Sequence, residues 1–132
     1  MSLHTDQNMA TVPAWGEAPP EKWYRVRISK VEEGESETKN PIVNLVMKIQ
    51  DEGPQFGQPL FDIPSLQSHA LAKLKAYYTA VGYQPGPEGH DPVNLLDKEL
   101  WVMVTHEVYQ GQTRAKIAPW NIRSLQQGPG QV

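Results

Sequence analysis

The sequence predicts a mainly β fold with a single helix, in the order β-β-β-α-β-β. Apolar and polar residues alternate in five short stretches, which is the pattern of half-buried strands. One stretch, residues 65–82, changes to helical spacing. Segments rich in glycine, proline and acidic residues separate the stretches and predict the connecting loops.

The first three strands are predicted at residues 23–28, 42–53 and 59–63. The acidic segment VEEGESETKNP (31–41) is predicted to be the loop between the first two strands. In the third strand, Phe61 and Ile63 are expected to face the core. The apolar faces of the first two are Tyr24, Val26, Ile28, Val43, Leu45, Met47 and Ile49, and the opposite faces are Trp23, Arg25, Arg27, Asn44, Val46 and Lys48.

An amphipathic helix is predicted over residues 66–81. Ser65 or Ser68 can cap its start, Gly82 can end it in the left-handed conformation, and Pro85 prevents its continuation. The apolar residues at helical spacing are Leu71, Leu74, Tyr78 and Val81.

The last two strands, at about 99–108 and 113–118, form a hairpin with a two-residue turn at 110–111. Placing Val104 opposite Ile117 keeps the apolar residues on one face, and the same register pairs Glu107 with Arg114. That register also predicts that Thr105 faces Lys116 and that Trp101 faces Trp120. The outward column is then Trp101, Met103, Thr105, Glu107, Tyr109, Gln112, Arg114, Lys116, Ala118 and Trp120.

Five strands with one helix between the third and fourth match the order of the OB-fold, a five-stranded Greek-key barrel. Another α+β sheet capped by one helix is the alternative, which element order does not separate. We expect a flexible arm at 1–20 with Trp15 docking on the body, a domain at 21–125, and a disordered tail at 126–132 that is rich in Gln, Gly and Pro.

Composition excludes several classes of protein. The chain contains no cysteine, so disulfides and thiolate metal sites are excluded. No stretch is long and apolar enough to span a membrane, and no secretory signal is evident, so we expect a cytoplasmic protein. The net charge of −3 means that nucleic-acid binding would require a local concentration of basic residues.

Aromatic and basic residues alternate on the predicted outward faces, as a groove for single-stranded nucleic acid requires. Bases stack on aromatic rings, and Lys and Arg neutralise phosphates. Alternatively, the tryptophans are buried in a second small core, and the basic residues are solvated or paired with the glutamates of 31–41. The candidate stacking residues are Trp23, Trp101, Tyr109 and Trp120, and the candidate phosphate-binding residues are Arg25, Arg27, Lys48, Arg114 and Lys116.

The chain also resembles small phage and prophage single-stranded-DNA-binding proteins over residues 22–122. The resemblance lies in WYRVRISKVEEGESETKNPIVNLVMKIQDEG, GQPLFDIPSL, LAKLKAYYTAVG and LLDKELWVMVTHEVYQGQTRAKIAPW, including LDKEL (96–100) and EVYQG (107–111). It implies an OB-fold and sequence-independent binding of single-stranded DNA during replication or recombination. Replicative members often carry an acidic C-terminal tail, whereas residues 125–132 have no acidic side chain, which leaves tail-mediated recruitment of partners in doubt.

Catalytic, metal-binding and cofactor-binding motifs are absent from the sequence, so a non-enzymatic binding module is expected. A metal-dependent nuclease using Asp51, Glu52 and Asp62 is a minor alternative. A second alternative is a protein–protein interaction module that uses the same aromatic face in a phage or replisome assembly. RNA as the ligand, replication or recombination proteins as partners, and a homodimer formed through strand edges all stay open.

Overall fold

The computed structural model describes residues 17–130. The predicted order of strands and helix is confirmed, and a short sixth strand follows that the sequence did not predict. Positions 1–16, including Trp15, and 131–132 lie outside the described residues, and the predicted division into arm, domain and tail stays a prediction. The elements are β1 (Lys22–Glu35), β2 (Pro41–Ile49), β3 (Pro59–Asp62), α1 (Ala72–Val81), β4 (Glu99–Tyr109), β5 (Gln112–Lys116) and β6 (Ile122–Arg123), with 3₁₀ turns at Ser68–Ala70, Pro92–Leu95 and Pro119–Asn121.

The strands form one antiparallel sheet in the order β3-β2-β1-β4-β5, and β6 pairs with β4 beside this path. Within residues 17–130, no ladder joins β3 to β5. These two edge strands instead line opposite sides of a groove of about 770 Å³, which we call the seam groove. The sheet therefore curves into a barrel-like shape with its two edges facing each other.

The core lies inside this curve and is closed by α1. All seven residues of the predicted inner faces of β1 and β2 are buried, so that prediction is confirmed. They pack with Leu74, Tyr77 and Tyr78 of α1 and with residues of the last strands, which are Leu100, Val102, Val104 and Ile117. Each aliphatic side chain buried in this way contributes about 1.5–3 kcal/mol of transfer free energy.

The acidic segment 31–41 is mostly strand, so its prediction as a loop is wrong. β1 continues to Glu35, which pairs with Pro41, and the turn between the strands is confined to 36–40. A β-bulge between Ile28 and Lys30 shifts the alternation by one residue, and the hairpin beyond it exposes Glu32 and Glu33. Because of the bulge and the exposed glutamates, this part of β1 lacks the regular alternation of apolar and polar residues by which a strand is recognised in a sequence.

β3 has the opposite orientation to the predicted one. Leu60 is buried and pairs with Met47, whereas Phe61 is 68% exposed and Ile63 is 56% exposed. Phe61 pairs with Val46, whose neighbours on the same face of β2 include the exposed Lys48. The sequence prediction was therefore out of phase by one residue, and it exchanged the core-facing and solvent-facing residues of this short strand.

α1 begins later than predicted. It starts at Ala72 with Leu71 as its N-cap and no side-chain cap, so neither Ser65 nor Ser68 caps it. Gly82 ends the helix with φ of 77°, as predicted. Leu74 and Tyr78 are buried, and Leu71 and Val81 pack partly buried against the core.

The hairpin of β4 and β5 has the predicted register near its tip. Thr105 pairs with Lys116 and Glu107 with Arg114, and the turn residues at 110 and 111 have φ of 51° and 78°, as a type I′ turn requires. The predicted Trp101–Trp120 pair is wrong, because β5 ends at Lys116.

Beyond Lys116 the chain turns away from β4. Ala118 is buried rather than outward, and Trp120 lies in the 3₁₀ turn that starts at Pro119. Proline has no N–H to donate to a ladder, which favours the end of the strand here.

Candidate nucleic-acid interface

Predicted site residues form rows across the outer side of the sheet, on a surface that we call the outer face. Strands lie about 4.8 Å apart and rows of one face about 6.6 Å apart, so all neighbours are within reach of one extended ligand. The rows, in order, are Trp23–Met103, Arg25–Trp101–Arg123, Pro59–Lys48–Arg27–Glu99 and Phe61–Val46–Lys30.

Two arginines of the outer face, Arg25 and Arg27, contact the same carboxylate. Glu99 Oε2 accepts a hydrogen bond from Arg27 Nη2 at 2.8 Å, and Glu99 Oε1 lies 3.6 Å from Arg25 Nε. The hydrogen bond to Glu99 raises the pKa of Arg27 above its usual value, so the guanidinium stays charged. Lys48 is exposed and makes no ion pair within residues 17–130. Arg25 and Arg27 thus share one anion, whereas the neighbouring Lys48 is not paired with it.

The tryptophans differ in exposure. Trp23 and Trp101 are partly buried, and Trp101 lies between Arg25 and Arg123 in its row. Trp120 is 80% exposed but belongs to none of the rows. The structure therefore brings Trp23 and Trp101 together with Arg25, and it places Trp120 elsewhere.

The seam groove contains the second group of predicted residues. Arg114 donates a hydrogen bond to Glu107 at 3.1 Å, and its guanidinium carbon lies 4.2 Å from the centre of the Tyr109 ring. One face of Tyr109 is therefore already occupied by Arg114. Lys116 is exposed and makes no ion pair in the described part of the chain.

Phe61 joins the two groups, and the sequence prediction missed it. It belongs to the outer face through its pairing with Val46, and it also lines the seam groove with Arg114 and Lys116. The pattern of residues 59–63 placed Phe61 and Ile63 in the core and left Leu60 on the other face. The inward place of Asp62 depends on partners from α1, which no local pattern reveals.

Asp62 connects β3 to α1. Its carboxylate accepts hydrogen bonds from the Tyr77 hydroxyl at 2.6 Å, Lys73 Nζ at 3.1 Å and the Ile63 N–H at 2.9 Å. Burial, and then the nearby Asp62 charge, raise the pKa of Tyr77 well above its usual value, so Tyr77 is a permanent donor. This network fixes the edge strand that carries Phe61.

The carboxylates of the nuclease alternative do not converge. Asp62 pairs with Leu45 in the sheet, whereas Asp51 follows the far end of β2 and accepts a hydrogen bond from the Arg25 N–H at 3.2 Å. Six residues along a strand correspond to about 20 Å. No group of three or more His, Asp or Glu residues that could hold a metal ion occurs within 17–130.

Residues 17–20 cross one end of the seam groove. Gln58 Nε2 donates to the Glu17 carbonyl at 3.0 Å, and His106 Nε2 donates to the Pro19 carbonyl at 2.7 Å. The Tyr24 hydroxyl donates to the Pro20 carbonyl at 2.7 Å. His106 therefore has a structural contact, and residues 17–20 link the β3 side of the curved sheet to β4.

No family model matches the chain, and no curated protein matches its sequence. The resemblance to phage single-stranded-DNA-binding proteins stays a prediction that rests on the residues quoted above. Among the described residues, no helix has the length and apolar character needed to cross a membrane.

Proposed function

We propose that the protein binds single-stranded DNA without regard to sequence, in phage-type replication or recombination. The observation that carries the proposal is the position of Phe61. This exposed ring has Lys48 beside it on the outer face and shares the seam groove with Lys116 and Arg114. A base stacked on Phe61 would have cations available to the phosphates on both sides.

The strand order supports an OB-fold as the scaffold. In an OB-fold, oligonucleotides bind on the face of strands two and three and at the loops that join strands one to two and four to five. Phe61 and Lys48 lie on β3 and β2, and the tip of the β4–β5 hairpin carries Arg114 near the seam groove. The proposed path of the DNA therefore coincides with the ligand-binding side of that fold.

The expected affinity depends on both stacking and charge. A base stacked on an aromatic ring contributes about 1–3 kcal/mol. Five cations contacting phosphates would give a slope of up to about 3.5 in a plot of log affinity against log salt concentration. Raising the salt from about 50 to 200 mM would then weaken binding roughly 100-fold. These cations are Arg25, Arg27, Lys48, Arg114 and Lys116.

The test is a fluorescence anisotropy titration of labelled oligothymidylate at two salt concentrations, with Phe61→Ala compared to wild type. Loss of one stacked base predicts a 5- to 150-fold weaker affinity, on the order of 1–3 kcal/mol. Phe56→Ala is the matched control, because Phe56 is 55% exposed but lies outside the outer face and the seam groove. Equal effects of both substitutions, or no binding at low salt, would rule out the proposed site.

The exposed Trp120 favours a second function, contact with a protein partner. An indole that is 80% exposed and outside the outer-face rows has no base to stack on along the proposed path of the DNA. Trp120→Ala should therefore leave the affinity for oligothymidylate unchanged in the same titration. A loss comparable to that of Phe61→Ala would instead place Trp120 on the DNA path.

A further inference from the structure

The C-terminal residues 124–130, which we call the C-terminal cover, pass beside the outer face. β6 pairs Arg123 with Trp101, so the chain leaves the sheet at the centre of the aromatic and basic rows. It then turns back on itself, because Arg123 Nε donates to the Gly128 carbonyl at 2.9 Å. Ser124 and Gln127 exchange two further hydrogen bonds, at 2.9 and 3.1 Å.

The C-terminal cover lies against the indole of Trp23. A Cβ atom built on Gly130 would lie 2.6 Å from Cζ2 of Trp23, which is closer than real Cβ atoms approach other atoms, and 3.2 Å from Cε2, which is a tight contact. The φ of Gly130 is outside the left-handed region, so its backbone conformation does not require glycine. The close approach to the Trp23 ring is therefore what excludes a side chain at this position.

The C-terminal cover is weakly attached to the rest of the protein. Every residue from 124 to 130 is exposed or only partly buried. The hydrogen bonds described above for this segment join it to itself or to Arg123, and they do not join it to the core. Residues 124–130 contain no charged side chain, so no side chain of the C-terminal cover holds it on the basic face by ionic attraction.

We propose that the C-terminal cover is displaced from Trp23 when single-stranded DNA binds, and that it competes with a base for the Trp23 ring. This inference rests on the proposed function. The competition acts through contact with the ring and not through charge, so the gain from removing the cover should be the same at low and high salt. The cover would lower affinity for DNA without changing the number of phosphates that are bound.

The test substitutes Gly130 with Ala and with Val in the full chain. We expect the added side chain to push the cover off Trp23, more for Val than for Ala. One readout is acrylamide quenching of Trp23 fluorescence without DNA, in a background in which Trp15, Trp101 and Trp120 are Phe. The second is affinity for oligothymidylate with all four tryptophans present. If the cover is in place in nine molecules of ten, its removal raises affinity about tenfold.

Gly86→Val is the matched control, because a Cβ at Gly86 meets nothing within 4 Å and its φ lies outside the left-handed region. It should change neither readout. Greater quenching of Trp23 together with tighter DNA binding supports the proposal. The proposal is overturned by unchanged quenching in both Gly130 variants, or by greater quenching with unchanged or weaker DNA binding. In either case, DNA binding by the wild-type protein leaves the proposed function intact. Failure of the wild-type protein to bind DNA overturns the proposed function instead.

Discussion

Tyr77→Phe tests whether the contact between α1 and β3 fixes the edge strand. The substitution keeps the buried ring and removes the hydroxyl that donates to Asp62 Oδ2 at 2.6 Å. Hydrogen bonds to charged groups contribute about 1.5–3 kcal/mol. The Asp62 side chain is only 11% exposed, so water cannot fully replace the lost donor. We expect a loss of about 1.5–3 kcal/mol in the free energy of unfolding.

Thermal and urea unfolding followed by circular dichroism measure this loss. For a domain of this size the melting temperature should fall by roughly 5–12 °C. Tyr78→Phe is the control, because Tyr78 is also buried but its hydroxyl bonds to His90, an exposed residue in a loop. Water can satisfy His90 after that change, so the expected loss is about 1 kcal/mol or less. Equal losses in the two variants would refute the role assigned to Asp62.

Two further predictions concern charge. Glu99→Gln should free Arg25 and Arg27 for phosphates, which tightens DNA binding about two- to tenfold and makes its salt dependence steeper. Glu35→Gln on the distant hairpin changes the net charge equally and should have a smaller effect, so equal effects of the two variants would show that only net charge matters. Burial raises the pKa of Tyr24, Tyr77 and Tyr78 above 10, so each stabilises the fold below pH 10. The free energy of unfolding should fall as the pH rises above 10, where the tyrosines of the unfolded chain ionise. An absorbance titration at 295 nm in which all five tyrosines ionise together at about pH 10, without unfolding, would contradict this.

The sequence predicted those features that depend on neighbouring residues. Alternation identified the inner faces of β1 and β2, and the dipeptide at 110–111 with the Glu107–Arg114 pair identified the register of the last hairpin. The position of Gly82 identified the end of α1. In each case the signal lies within a few residues of the structure that it specifies.

Features that depend on distant partners were not predicted. The inward place of Asp62, and with it the exposure of Phe61, requires donors from α1. Trp101 lies beside Arg123 because β6 returns to β4, and nothing near Trp101 in the sequence indicates a sixth strand. The sequence therefore predicted that the candidate site combines aromatic and basic residues. It did not predict that Phe61, the most exposed aromatic residue on the sheet, belongs to the site.

The crossing of the seam groove by residues 17–20 determines how the protein can be shortened. Composition suggests that the folded part begins at 21, but a fragment starting there would lose the carbonyls that accept from Gln58, His106 and Tyr24. The amide of Gln58, whose residue is only 5% exposed, would then have no acceptor beneath the surface. A fragment for crystallisation or NMR should therefore start no later than Glu17.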